Sequence, residues 1–524
     1  MTDVRILSEP LGGSPLSQLL QRGEAPTHWL LAAPAGADAW RERAQARAAA
    51  KDWATSWERL APAIDATGEA AARLERVRRA GGVVVTTGQQ PGLFGGPIYT
   101  WSKAVGALAL ADAIEAATGI PTAAVFWAAT DDADFIEASS TVVARIGGAD
   151  TLRDPHAPPA GTPMSLAPLG DVGSLVRTLA SACGSAPDHR ALDAVRSAYA
   201  NDGRTVGGAY VALLRELLAP LGVPVLDASH PVVIAESAVT IELALERAGD
   251  IERALATRAQ EIDAAGHEPQ VEDMPGLSLA FARSDSVKRR LAVGEARGDA
   301  SALTPNVLLR PIVEHEILPT VAYVAGPGEL AYFAQVTAVA AAMELPSPVA
   351  VPRWSCTLLE PHVEAVLQRL GFQHDELSVP HVAERRVARE AMSETTAAGV
   401  VAMRAAIAEL PQRLGDEPRR LGLDAAIVGA ARALDHRVDR LERRLLAGVA
   451  RRETERMRDL ATARSALYPD GVRQERALNL IPLLARHGLE LLSDMHLAAR
   501  GHALRLVGSE TAATVGSTRA APVT

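Results

Sequence analysis

Cysteine is nearly absent from this 524-residue chain, with Cys183 and Cys356 the only two. Two distant cysteines make neither a disulfide framework nor a zinc cluster, and they suit a reducing cytoplasm. Aromatic residues are scarce at 4%, so the core must be built mostly from Ala, Leu and Val. No apolar run is long enough to span a bilayer. The N-terminus, MTDVRILSEPLGGSP, has no basic segment followed by an apolar one, so no signal peptide is expected. Basic residues number 53 against 63 acidic ones, a net charge of −10. This argues against a broad nucleic-acid surface and does not suggest a membrane binder, but it leaves room for a local basic pocket. Lysine is the rarest charged residue: Lys51, Lys103 and Lys288 stand alone among arginines.

What is present begins with VVVTTGQQPGLFGGPIYTWSK, Val83 to Lys103. A β-branched run, a glycine- and proline-rich turn and a helix start follow one another. In α/β proteins this order builds anion sites from backbone N–H groups and a helix N-terminus. Lys103 supplies a compact charge suited to phosphate, where arginine would supply a wide fork. A helix is expected from Ser102 to Ala117, then a strand at Thr122–Trp127 ending in the acidic turn Thr130–Asp134. Strand, helix and strand at this spacing form a βαβ unit with a parallel sheet. Ligands of such sheets bind at the carboxyl ends of the strands.

The length calls for two or more structural units. The expected division is an α/β core with a parallel sheet over 1–380 (Rossmann-like, by the family resemblance drawn below), with insertions near 150–200 and 235–300. A helical hairpin follows over 381–467, then a segment returning to the core over 468–505 and a flexible tail over 506–524. In the hairpin, Ile427, Leu434 and Leu441 recur every seven residues, with Ala431, Val438 and Leu445 between them. That is a coiled-coil seam, closed within the hairpin or shared in a homodimer.

The glycine loop matches neither GxxxxGK[ST] nor GxGxxG. Gly88, Gln89, Gln90, Gly92, Phe94, Gly95, Pro97 and Tyr99 are candidate nucleotide or substrate contacts, or else parts of a tight structural turn. Asp131, Asp132 and Asp134 are candidate catalytic carboxylates together with Lys103; an acidic helix start would explain one aspartate but three less well. Gly326, Gly328, Glu329, Tyr332 and Gln335 form a second loop–helix junction. Arg353, beside Ser355, is a candidate anion clamp or a surface arginine. Trp127, with Trp101 and Trp354, either walls the site or anchors the core. Cys356 reads as a buried structural thiol. The scattered histidines show no metal-ligand spacing, so no metal site is assigned.

The blocks VVVTTGQQPGLFGGPIYTWSKA, VFWAATDDADF, GHEPQV, LRPIVEHEILPTVAYVAGPGELAYFAQ, VPRWSCTLLE and YPDGVRQERALNLIPLLARHG resemble, in order, those of the bacillithiol synthase family. The resemblance implies a fold related to class I aminoacyl-tRNA synthetases, with a coiled coil used for dimerisation. It also implies a cytoplasmic ligase that adds L-cysteine to the amine of glucosaminyl malate. ATP, with Mg2+ as a candidate companion, would activate the carboxylate. The chain departs from the family pattern at Ala133 and Ser102, where histidines are expected. Those departures keep open another carboxylate–amine ligase or nucleotidyltransferase, or a non-catalytic nucleotide-binding scaffold.

Overall fold

Runs such as VVVTT and TAAVFW lack polar alternation, the pattern of a strand buried on both faces. In the computed structural model they are the two central strands of a five-stranded sheet. The structure describes residues 2–185, 188–200, 203–284, 286–295 and 303–508, so nearly all of the tail 506–524 lies outside the described residues. The sheet strands are β1 (Val83–Gln89), β2 (Thr122–Ala128), β3 (Val225–Asp227), β4 (Thr320–Ala325) and β5 (Ala350–Pro352). Their order is β5-β4-β1-β2-β3 and every pairing is parallel. The strand order reverses between β1 and β4, which opens a crevice at their carboxyl ends.

Helix α1 (Ile98–Thr118) packs on β1 and β2. On the other side, Val84, Val125, Trp127 and Leu226 pack with Trp53, Trp57 and Leu60. Helices α2 (Arg310–Ile317) and α3 (Pro327–Ala342) bracket β4. The few aromatics are spent inside: Trp29, Trp40, Trp101 and Trp354 are among the largest fully buried side chains. The insertion after residue 235 is helical, as its sequence over 236–265 suggests, and its remaining stretch through Arg290, expected to be irregular, contains a hairpin. It holds helices Pro231–Glu246 and Ala248–Ala264 and a hairpin of strands Leu277–Ser284 and Val287–Ala292.

The chain divides into two units, Met1–Val143 with Thr151–Leu358 and Glu475–Thr524, and Ala144–Asp150 with Leu359–Gln474. The second unit therefore starts at Leu359 and not at 381, because helix Pro361–Leu370 packs on helix Thr454–Leu467. Within it, α4 (Glu394–Ala408) lies antiparallel to α5 (Asp424–Ala450), and Arg404 reaches Asp435, Asp439 and Glu442. Of the heptad positions Val438 is buried, while Leu434 and Leu441 remain 42% and 41% exposed. Among the described residues no helix is long and apolar enough to cross a membrane.

The segment after Gln474 belongs to the first unit. Helix α6 (Glu490–Val507) covers α1, and Asn479 ties down the glycine loop. The Asn479 Nδ2 donor lies 3.3, 3.0 and 3.2 Å from the carbonyls of Leu93, Phe94 and Gly96, and 3.1 Å from Thr141 Oγ1. Its Oδ1 accepts from the Ile481 N–H at 2.8 Å. Replacing it strands several buried carbonyls. Asn479→Ala is expected to lower the unfolding free energy by about 2–3 kcal/mol. Urea melts showing wild-type stability would contradict this.

Candidate active site

At the crevice between β1 and β4 lies a cleft of about 540 Å³. Gly88, Gln89, Gln90, Tyr99, Lys103, Asp131, Asp132, Gly326, Gly328, Glu329, Tyr332 and Arg353 line it, joining the strand-end motifs in one place. The remaining candidates, Gly92, Phe94, Gly95, Pro97, Trp127, Asp134, Gln335 and Ser355, do not line this cleft.

The glycine loop is a closed structural turn, which corrects the expectation of a phosphate cradle. The Phe94 N–H donates to Tyr199 Oη at 2.9 Å, Gly95 N–H to the Gly92 carbonyl and Gly96 N–H to the Leu93 carbonyl. The glycines serve close packing: a Cβ on Gly92 would sit 2.7 Å from Gly96 Cα, and one on Gly95 2.5 Å from the Trp101 ring. Phe94 is a non-glycine residue at φ 53°, a costly conformation secured by the Tyr199 hydroxyl and an edge-on ring contact. Pro97 caps α1 from the backbone side.

Other candidates are also absorbed by structure. Trp101, Trp127 and Trp354 are at most 2% exposed and anchor the core without walling the cleft. Gln335 pins Val271, accepting from its N–H at 3.0 Å and donating to its carbonyl at 2.8 Å. Asp134 caps the short helix Phe135–Ala138 by accepting from the Glu137 N–H. Burial pushes the Cys356 thiol well above its usual value, which fits an inert side chain.

The centre of the site is the carboxylate of Glu329 in the first turn of α3. Lys103 Nζ lies 2.5 Å from Glu329 Oε2 and donates to the Gly88 carbonyl at 2.6 Å and to Gln89 Oε1 at 3.1 Å. The Gly326 N–H and Tyr323 hydroxyl each donate to Glu329 at 2.6 Å. Arg310 stands 3.7 Å from Glu329 and donates to the hydroxyls of Tyr323 and Tyr332. Burial draws the Lys103 ammonium below its usual value, against the pull of Glu329. Burial would raise Glu329, but Lys103 and Arg310 hold it below the ordinary carboxylate range. In the first turn of α3 the space beside Gly328 is open. The open helix N-terminus of this site is therefore that of α3, not that of α1.

Arg353 lines the cleft but already has a carboxylate. It forms a two-pronged pair with Glu475 at 2.8 and 2.7 Å, which the Ser355 hydroxyl joins at 2.8 Å. Ser102 Oγ accepts from Arg353 at 3.3 Å and is buried, so its difference from the family pattern does not touch the cleft. Ala133 does line the cleft. Across from Glu329, Lys288 Nζ donates to the Asp131 carbonyl at 2.5 Å and lies 3.4 Å from its carboxylate.

Sequence reasoning missed Arg290, Arg310 and Arg476, and it left Lys288 without a role. All four line the cleft. The scarcity of lysine was the usable signal: two of the chain's three lysines face the same cleft. Six cations and three carboxylates (Asp131, Asp132 and Glu329) make the cleft basic within an acidic chain. Among the described residues no group of three His, Cys, Asp or Glu side chains could hold a metal ion.

Fold and cleft define a Rossmann-like α/β protein that carries a helical coiled-coil domain. Residues 32–297 and 288–354 match the family model described as bacillithiol biosynthesis BshC, N-terminal Rossmann-like domain. Residues 356–504 match its C-terminal coiled-coil domain. The chain belongs to the BshC family of bacillithiol biosynthesis. It is 31% identical over 475 residues to a Koribacter versatilis protein named "Putative cysteine ligase BshC", covering 85% of this chain and 87% of that one. Proteins of the same name from Solibacter usitatus and Heliobacterium modesticaldum are 30% and 29% identical. These matches cover 80% and 83% of this chain, and 82% and 84% of the relatives.

Arg353 and Glu475 are about 2% and 3% exposed, so removing one leaves a buried charge alone. Burial would raise Glu475, but Arg353 and Ser355 hold its carboxyl below the ordinary range. Its stabilisation is present above that range and is lost as pH falls through the lowered value. Glu475→Ala is expected to cost about 3–5 kcal/mol. The double variant Arg353→Met with Glu475→Leu is expected to lose less than the two single variants combined, as read by denaturant unfolding.

Proposed function

We propose that this cleft joins the carboxylate of L-cysteine to the amine of glucosaminyl malate. The observation that carries the reading is a basic cleft at the strand-order reversal with two carboxylates, Asp131 and Asp132, on its wall. Amide formation needs a deprotonated amine facing an activated acyl carbon, with developing negative charge stabilised. Asp131 or Asp132 receives the amine and takes its proton. Lys103, Arg310 and the open start of α3 at Gly328 hold the anionic end of the reaction. ATP fits this end, supported by the open start of α3 beside Lys103, and when bound it supplies the carboxylate activation. Mg2+, where it takes part, would arrive with the nucleotide's phosphates. Cytoplasmic operation suits the thiol substrate.

The second reading, another amino acid joined by the same machinery, is favoured by Ala133, which enlarges the cleft where an imidazole is expected. In the hairpin, the exposed Leu434 and Leu441 row suits a homodimer; light scattering that finds only monomer would remove that element.

The test is mass spectrometry of the purified protein with L-cysteine, glucosaminyl malate and ATP, each omitted in turn. Bacillithiol is expected only in the complete mixture. Product with another amino acid but not with cysteine would establish the second reading. Lys103→Ala is expected to lower kcat by at least ~100-fold if it stabilises charge in the transition state; an unchanged kcat would remove Lys103 from the mechanism.

A further inference from the structure

Glu314, one turn after Arg310 in α2, is a buried carboxyl that the proposed reaction does not use. Its side chain is 1% exposed, and neither oxygen has a hydrogen-bond partner among the described residues. Its nearest cation is Arg310 Nε at 3.5 Å, and that Nε also lacks a hydrogen bond. The contrast with Glu329 is direct, since Glu329 is met by Lys103, Tyr323 and the Gly326 N–H. Four acidic and basic groups stand in a row: Glu314, Arg310, Glu329 and Lys103. A carboxylate without donors is poorly tolerated in an interior, so the neutral acid is favoured there.

We propose that Glu314 is a positioning residue for Arg310. While uncharged, it leaves the guanidinium only Glu329, shared with Lys103, as counterion in the cleft wall, and it thereby sets how tightly an anionic group of the ligand is held. The shared chemistry is a phosphate chain or a carboxylate. The inference rests on the cleft being the ligand site. With Glu314 neutral, Arg310 and Lys103 share one counterion, Glu329, and the row carries one net positive charge. With Glu314 ionised the row is neutral. Burial lifts the Glu314 carboxyl to about 8, against the pull of Arg310. The groups facing it are Lys103 from α1, Glu329 and Tyr332 from α3, Tyr323 from β4, Asp131 from the acidic turn, and Arg310 on its own helix. Helix Pro231–Glu246 also packs on α2, and it presents Glu236 to Arg59.

The experiment is calorimetric titration of the full-length protein with pyrophosphate and, separately, with L-malate, at about pH 7 and about pH 9. Wild-type affinity for the bound anion is expected to fall ~10-fold between the two, following the neutral fraction of Glu314. Glu314→Gln keeps shape and neutrality, so its affinity should change far less. Lys103 is present in both proteins, so its own response to pH is common to the comparison. Which anion shows the effect identifies its source. A parallel fall in both proteins would overturn the role of Glu314 and leave the cleft reading standing. No binding of either anion to the wild type would overturn both. Infrared difference spectra need no variant: a protonated-carboxyl band lost between those pH values, and retained when the anion is bound, is expected. Its absence at the lower pH would refute the proposal.

Discussion

The Glu329 carboxylate is the contact on which the site depends. It closes the first turn of α3 onto Gly326, fixes the Tyr323 hydroxyl of β4 and neutralises Lys103 reaching across from α1. Lys103 in turn holds the last residues of β1 through the Gly88 carbonyl. One side chain therefore links the ends of the two neighbouring strands between which the strand order reverses. It also gives the buried Lys103 the counterion without which its charge would be strongly disfavoured there.

This arrangement divides labour between the two glycine-rich junctions. The first, after β1, is packed shut by Asn479, Tyr199 and Trp101, and its rigidity aims Tyr99 and Lys103. The second, after β4, leaves open space beside Gly328 at the start of α3. Glycine serves density in one and access in the other. Composition alone does not separate these uses.

Much of the core was legible before the structure. The apolar runs Val83–Val85 and Thr122–Trp127 fixed two central strands, and Gly119 with Pro121 marked the end of the helix between them. Lys103, Asp131, Glu329 and Arg353 were legible as candidates from the strand-end motifs, and the structure brings them to the lining of one cleft. Arg310, Lys288 and Arg476 were not, because no spacing or periodic signal in their segments marks them. Arg353 was placed correctly but misjudged in role: its partner, Glu475, lies 122 positions away. The loop over Gly92–Pro97 misled for the same reason, since Asn479, which fills it, is 383 positions beyond Gly96.

That separation has a consequence for how the protein is made. The ribosome delivers Arg353 and the glycine loop long before Glu475, Asn479 and α6, with the whole hairpin unit emerging between them. A nascent chain that stops short of residue 475 holds an arginine without its counterion and a bare face on α1. The sheet can form early, but its charged interior is completed only by the last fragment of chain. The unit that looks N-terminal in sequence is, in the order of synthesis, finished last.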